Sequence, residues 1–221
     1  GWVNNLDDEN DFSRNASIQI KDAWEIYPEA GKPEIKCGIV DLLIDFRHPD
    51  FGFNAFVGDA STKVRGGFGF VSGTPLYSIG LTEANTFHGT EVAGIIGALR
   101  NNDGEGIAGI AGGDATSTVF PNDPTYFDDK GVSLYSLGIF DYTTTYPILP
   151  EPIQSVYDAI VTGAVHPTNG GMGLNIMNNS WGYSETGLSG VTDTNYILLK
   201  ESILFANRAQ VSQVASRGNV G

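Results

Sequence analysis

One cysteine, Cys37, stands in the whole chain, so an internal disulfide and a cysteine-based metal cluster are both excluded. Basic residues are scarce as well. Twelve Lys+Arg against 26 Asp+Glu leave a formal net charge of −14. That balance argues against a nucleic-acid binder, which carries a basic patch or stripe, and against an anionic membrane surface as partner. No apolar run approaches the roughly 18–20 residues of a membrane span. Charged residues are only 17% of the chain, below the ~25% of an average globular domain. Apolar residues are 41%, enough for a real core, so a disordered chain is excluded. At ~150 residues per domain the length corresponds to about one domain. No signal peptide is visible ahead of Gly1-Trp2-Val3, which says nothing about the native compartment.

Glycine is abundant: 29 residues of 221. There is no collagen period and no long Gly/Ser linker. Short glycine sets instead separate apolar runs, at Gly66-Gly67, 104–113, 170–173 and 218–221. That pattern suits tight turns and close backbone approach in an α/β fold.

Residues 1–16 are polar and acidic and read as an N-terminal arm; residues 17–221 form the domain. Ser17–Tyr27 predicts a short helix. Ile35–Leu43 is a continuous apolar run with Asp41 near its end, as in a strand buried on both faces, and it holds Cys37 as a buried thiol. Residues 52–86 read as loop with one or two short strands. His88–Arg100 predicts a helix whose buried stripe is Val92, Ile95, Ile96 and Leu99. Residues 112–131 read as an inserted loop. Val132–Ile139, Asn175–Ser180 and Val211–Ser216 predict strands; Pro152–Ala164 and Tyr196–Gln210 predict helices. Strands alternate with helices at βαβ spacing. The expected class is therefore α/β, a doubly wound, mainly parallel sheet with helices on both faces.

Ligands of such sheets bind beyond the carboxyl ends of the strands. Three polar residues fall at such places. Asp41 closes the first run, His88 opens the helix His88-Gly-Thr-Glu-Val-Ala-Gly94, and Asn219 follows the last strand. A histidine in the first turn of a helix faces the positive end of the macrodipole, which disfavours its charged form. A buried aspartate on one ring nitrogen offsets this and fixes the tautomer. The other nitrogen can then take a proton from a nucleophile. Each residue alone has a plainer reading: a loop cap, a helix cap, a Gly-Asn turn.

Together these segments resemble the subtilisin-like serine proteases, the subtilases, from about Gln19 to Gly221. His88–Gly94 matches the family's His-Gly-Thr-x-Val-Ala-Gly motif in full. Ile39-Val40-Asp41, with Ile44-Asp45 and His48-Pro49-Asp50, resembles the segment around the family's aspartate. Asn179-Ser180-Trp181-Gly182 resembles the strand that lines the substrate groove, and Ala215–Gly221 the oxyanion segment. The resemblance implies Asp41 as orienter of the histidine, His88 as general base and then acid, and Asn219 as oxyanion donor. It implies that Ser180, Trp181, Gly182 and Gly218 line the groove for an extended peptide. Trp181 is equally readable as a core tryptophan.

The same resemblance implies a serine in Gly-Thr-Ser-x-x-x-Pro after the asparagine. No Gly-Thr-Ser occurs in this sequence. The expectation is a catalytic domain truncated before the nucleophile helix, inactive by itself and active when full length. Two departures stand out. Leu42-Leu43 replaces the family's Ser/Thr-Gly, and Arg217 sits where a small residue is common. The loop Asn101–Gly106 resembles the family's calcium loop, which implies a structural calcium held by Asp50 and Asp103, with Asp11 as a further ligand; the plain reading is a solvated turn. His48 and His166 read as structural.

The implied partners are a peptide or protein substrate, and a propeptide or inhibitor; the implied location is outside the cell or on its surface. A catalytically degenerate, peptide-binding relative is the alternative, favoured by Leu42-Leu43 and Arg217. An unrelated nucleotide- or sugar-binding doubly wound fold is disfavoured, because no Gly-x-Gly-x-x-Gly follows a strand and no P-loop is present.

Overall fold

The structure, a computed structural model, describes residues 18–52, 63–101, 106–115, 131–140, 153–182 and 193–217. Six strands form one sheet: β1 (Lys36–Asp41), β2 (Val64–Gly69), β3 (Thr74–Pro75), β4 (Ser133–Gly138), β5 (Ile176–Asn179) and β6 (Ser212–Ala215). Their order is β3-β2-β4-β1-β5-β6. All neighbours pair parallel except the short edge strand β3, which is antiparallel to β2. Among the described residues four α-helices accompany them: α1 (Ile20–Ile26), α2 (Glu83–Gly97), α3 (Ile153–Ala164) and α4 (Asp193–Arg208). None of the described helices is long and apolar enough to cross a membrane.

The central strand explains the layering. Successive side chains of β1 point to opposite faces. Cys37 and Ile39 enter the core that contains Ala93 of α2, while Val40 enters the core that contains Val156, Ile160 and Ala206 of α3 and α4. The sheet is thus covered on both sides, as the uninterrupted apolar run predicts. Burial also pushes the Cys37 thiol up to about 11. Its thiolate is scarce at neutral pH, which fits a packing role.

The α2 prediction needs two corrections. The helix begins at Glu83, so His88 does not open it but lies in its second turn. Asn85 marks the true start: its side-chain oxygen accepts the Thr82 N–H at 2.8 Å and its amide donates to Gly80 O at 3.0 Å. The predicted buried stripe holds except at Ile95: Val92 and Ile96 pack against the core and Leu99, just past the helix, is buried, but Ile95 is 59% exposed. The fully buried positions of the helix are the small or polar Asn85, Thr86, Gly89, Ala93, Gly94 and Gly97. A Cβ on Gly89 would run into the Leu42 and Leu43 carbonyl oxygens, and one on Gly97 would press on Leu134. Helix axis and sheet therefore approach more closely than Leu or Ile at those positions would permit.

The other elements fall within a few residues of their predicted bounds. Lys63, just before β2, is a surprise. It is 1% exposed, and burial, with Arg65 as second cause, pushes its ammonium down to about 7.

Candidate active site

The carboxyl edge of the sheet gathers the predicted residues. Asp41 pairs with Gly138 of β4, Val40 with Asn179, and Asn179 with Ala215. The ends of β4, β1, β5 and β6 therefore lie in one row, and Asp41 occupies its middle. Its main-chain carbonyl accepts the Ile139 N–H at 2.9 Å.

Asp41 is fully buried. Its Oδ1 accepts two hydrogen bonds, from Leu42 N–H at 2.6 Å and from His88 Nδ1 at 2.7 Å. A carboxylate only accepts, so Nδ1 carries the proton and Nε2 is left as the basic nitrogen. The His88 side chain is 42% exposed, so the ring spans from the core to solvent. Its hydrogen bond to Asp41 is the main cause that raises its pKa above 6.5; burial opposes, and the charges of Asp41 and Glu91 reinforce. The macrodipole argument falls away, because that field fades within the first turn and His88 lies beyond it.

The segment after Asp41 is clamped to α2 and β4. Leu43 N–H donates to Asn85 O at 3.1 Å, Ile44 N–H to Ser136 Oγ at 3.0 Å, and Asp45 N–H to Thr90 Oγ1 at 2.9 Å. Sequence reasoning did not name Asn85 or Ser136, and quoted Thr90 only as part of the histidine motif, with no role. Thr90 carried a signal, since it lies two residues past His88 on the same helix. Leu42 and Leu43 are buried, and the Leu43 side chain lies where a Cβ on Gly138 would otherwise sit.

Ser180, Trp181 and Gly182 follow β5 beside this row. Ser180 Oγ accepts from Asn178 Nδ2 at 2.8 Å, and Gly182 opens on free space. Trp181 is half-buried against the α3–α4 core and its indole N–H donates to Asn179 Oδ1 at 3.3 Å. Its ring packs on the core, as the plainer reading expects, and its carbonyl accepts from Ser216 Oγ at 3.5 Å. Arg217 is exposed at the end of the β6 segment. Gly218 and Asn219 lie outside the described residues, as do Asp103 and Asp11.

Asp50 is buried, and its Oδ2 accepts the Ile107 N–H at 3.1 Å. Gly106 passes so close that a Cβ would strike the carboxylate. Among the described residues no three His, Cys, Asp or Glu side chains converge on a metal position. His48 and His166 cap short 3₁₀ turns, accepting from the backbone N–H of Asp50 and Thr168.

This arrangement can hold an imidazole in one tautomer and move a proton at its outer nitrogen. Thermitase of Thermoactinomyces vulgaris is 34% identical over 137 residues, 55% of this chain and 42% of thermitase. Subtilisin DY of Bacillus licheniformis is 32% identical over 187 residues, 85% of this chain and 48% of that protein. The chain spans about half the length of these relatives. The pattern of the subtilase family matches residues 32–221, and the chain belongs to that family.

Proposed function

We propose that the full-length protein is a serine endopeptidase that cleaves peptide bonds by acyl transfer, with Asp41 and His88 as two members of its triad. The observation that carries this reading is the 2.7 Å bond between His88 Nδ1 and the buried Asp41 carboxylate at the carboxyl edge of the sheet. His88 Nε2 takes the proton of the serine hydroxyl as its oxygen attacks the carbonyl carbon. The proton then passes to the leaving amine as the C–N bond breaks. A water repeats the sequence on the acyl-enzyme, so the base is restored. Asp41 keeps the ring in the productive tautomer and stabilises the imidazolium. The side-chain amide of Asn219 is assigned to the oxyanion, and the backbone of Ser180–Gly182 and Gly218 to the extended peptide.

A fluorophosphonate should label one serine of the full-length protein, and a peptide chloromethyl ketone should alkylate His88. Because Asp41 raises the pKa of His88, the acid limb of kcat/KM should lie above 6.5. The base must be neutral, so activity rises as the pH passes that value. The stability linked to the protonated ring runs the other way: it is present below 6.5 and lost as pH rises through the folded value. Absence of both labels would hand the site to the alternative, a subtilase that binds peptide without cutting it.

A structural calcium belongs to the same reading. Asp50 offers a buried carboxylate beside Gly106 and Ile107; calcium takes about 6–8 oxygen ligands, and Asp103 is assigned as a second one. A bound ion would neutralise the carboxylates and tie the loop to the 3₁₀ turn at Pro49–Phe51. Thermal unfolding in EDTA should fall below that in millimolar calcium, and Asp50→Asn should abolish the difference. Equal melting in both buffers would remove calcium from the account.

A further inference from the structure

We propose that residue 42 is a positioning residue for the Asp41–His88 couple: leucine there offers no donor to Asp41 Oδ2, which has none among the described residues, and the couple lacks a hydrogen bond that a hydroxyl would supply. The consequence for catalysis rests on the peptidase reading; the proton affinity does not.

Both hydrogen bonds to the carboxylate fall on Oδ1. Oδ2 is equally buried and has no hydrogen-bond partner among the described residues. A buried carboxylate oxygen without a donor is unusual, since such groups are nearly always satisfied. Residue 42 stands next to it, because its own N–H already reaches Oδ1. Its side chain is apolar and 3% exposed. The backbone cannot swing another N–H into place. Leu43, Ile44 and Asp45 each donate elsewhere, to Asn85 O, Ser136 Oγ and Thr90 Oγ1. The carbonyls of Leu42 and Leu43 lie against Gly89, so they cannot retreat.

The charge bookkeeping is short. β1 brings Asp41 and α2 brings Glu91, both negative and both favouring the imidazolium. β4 brings the uncharged Ser136 and Gly138, and residues 42–44 are apolar. Asp45 is paired with Arg47 at 2.8 Å. A hydroxyl at residue 42 whose proton reached Oδ2 would place a positive dipole end beside the couple. The imidazolium would then feel a weaker negative potential, and the proton would leave more readily.

The test is an NMR titration of the three histidines in the full-length protein, comparing Leu42→Thr with Leu42→Val. Threonine and valine share a shape and differ in the hydroxyl, so packing losses are matched. His88 should titrate lower in L42T than in L42V by about half a pH unit, a threefold change in proton affinity. His48 and His166 should stay in place as internal references. Coincident His88 curves would overturn the proposal. If those variants do not fold, Leu42→Ser against Leu42→Ala makes the same comparison. The unsubstituted protein adds a condition of its own, since a His88 value at or below 6.5 also overturns it. The titration needs no turnover. A shift without peptidase activity defeats the functional reading alone; activity without a shift defeats this proposal alone.

Discussion

Substituting His88 by alanine in the full-length protein removes peptide hydrolysis almost entirely, with kcat falling on the order of 10⁶-fold, a magnitude that is subtilisin's own. The reason lies in the geometry at the sheet edge. No other histidine is near: His48 and His166 are tied to their own 3₁₀ turns. Nothing else described at the site can take the proton at neutral pH. KM should change little, because the backbone at Ser180–Gly182, proposed above to hold the peptide, is untouched. Asp41→Asn is the companion experiment. It keeps the shape of the site but favours the wrong tautomer, so a loss of about 10⁴-fold in kcat is expected. Steady-state kinetics on a chromogenic peptide measures both. A loss below about a hundredfold for H88A would remove His88 from the role of base, since general-base catalysis alone accounts for about 10²–10⁴.

The second large effect is on stability. Gly89→Ala should destabilise the protein by about 3 kcal/mol or more, at or beyond the usual upper range for overpacking. The added Cβ meets main-chain oxygens of Leu42 and Leu43 rather than the end of a flexible side chain. Backbone at that place cannot yield alone. Moving α2 outward lengthens the bonds from Leu43 N–H to Asn85 O and from Asp45 N–H to Thr90 Oγ1, and separates His88 from Asp41. Urea unfolding should show the loss, and peptidase activity of the folded fraction should drop with it. Gly80→Ala is the control. A Cβ there meets nothing within 4 Å, so the change should stay within about 0.5 kcal/mol. Equal midpoints for the two variants would show that the α2–β1 contact can relax.

The legible parts of this protein were those with a one-dimensional signal. The run Ile35–Leu43 announced a strand buried on both faces, and β1 is that strand. The residues Ser155, Val156, Ala159, Ile160, Gly163 and Ala164 bury one side of α3, where a helix was expected. The Asp41–His88 pairing, read from a motif and a chain order, is met by a direct hydrogen bond. Helix α2 was legible only in part because periodicity looks for bulky apolar residues. Val92, Ile96 and Leu99 do meet the core, but Ile95 faces solvent and the closest contacts are made by glycines, which carry no apolar signal. The clamp made by Asn85, Thr90 and Ser136 was invisible for another reason. Its acceptors come from α2 and β4, two distant places in the chain, and only the fold brings them to residues 43–45. Lys63 is a similar case, since no local pattern separates a buried lysine from an exposed one.

The glycine face of α2 has a thermal consequence. Where two elements meet through interlocked side chains, warming frees rotamers one by one and the spacing drifts. Gly89 rests directly on peptide oxygens, with no rotamer between helix and strand. The spacing of the two backbones that carry Asp41 and His88 is then set by main-chain contact, and warming leaves only the side-chain torsions of the couple free to drift while α2 stays on the sheet.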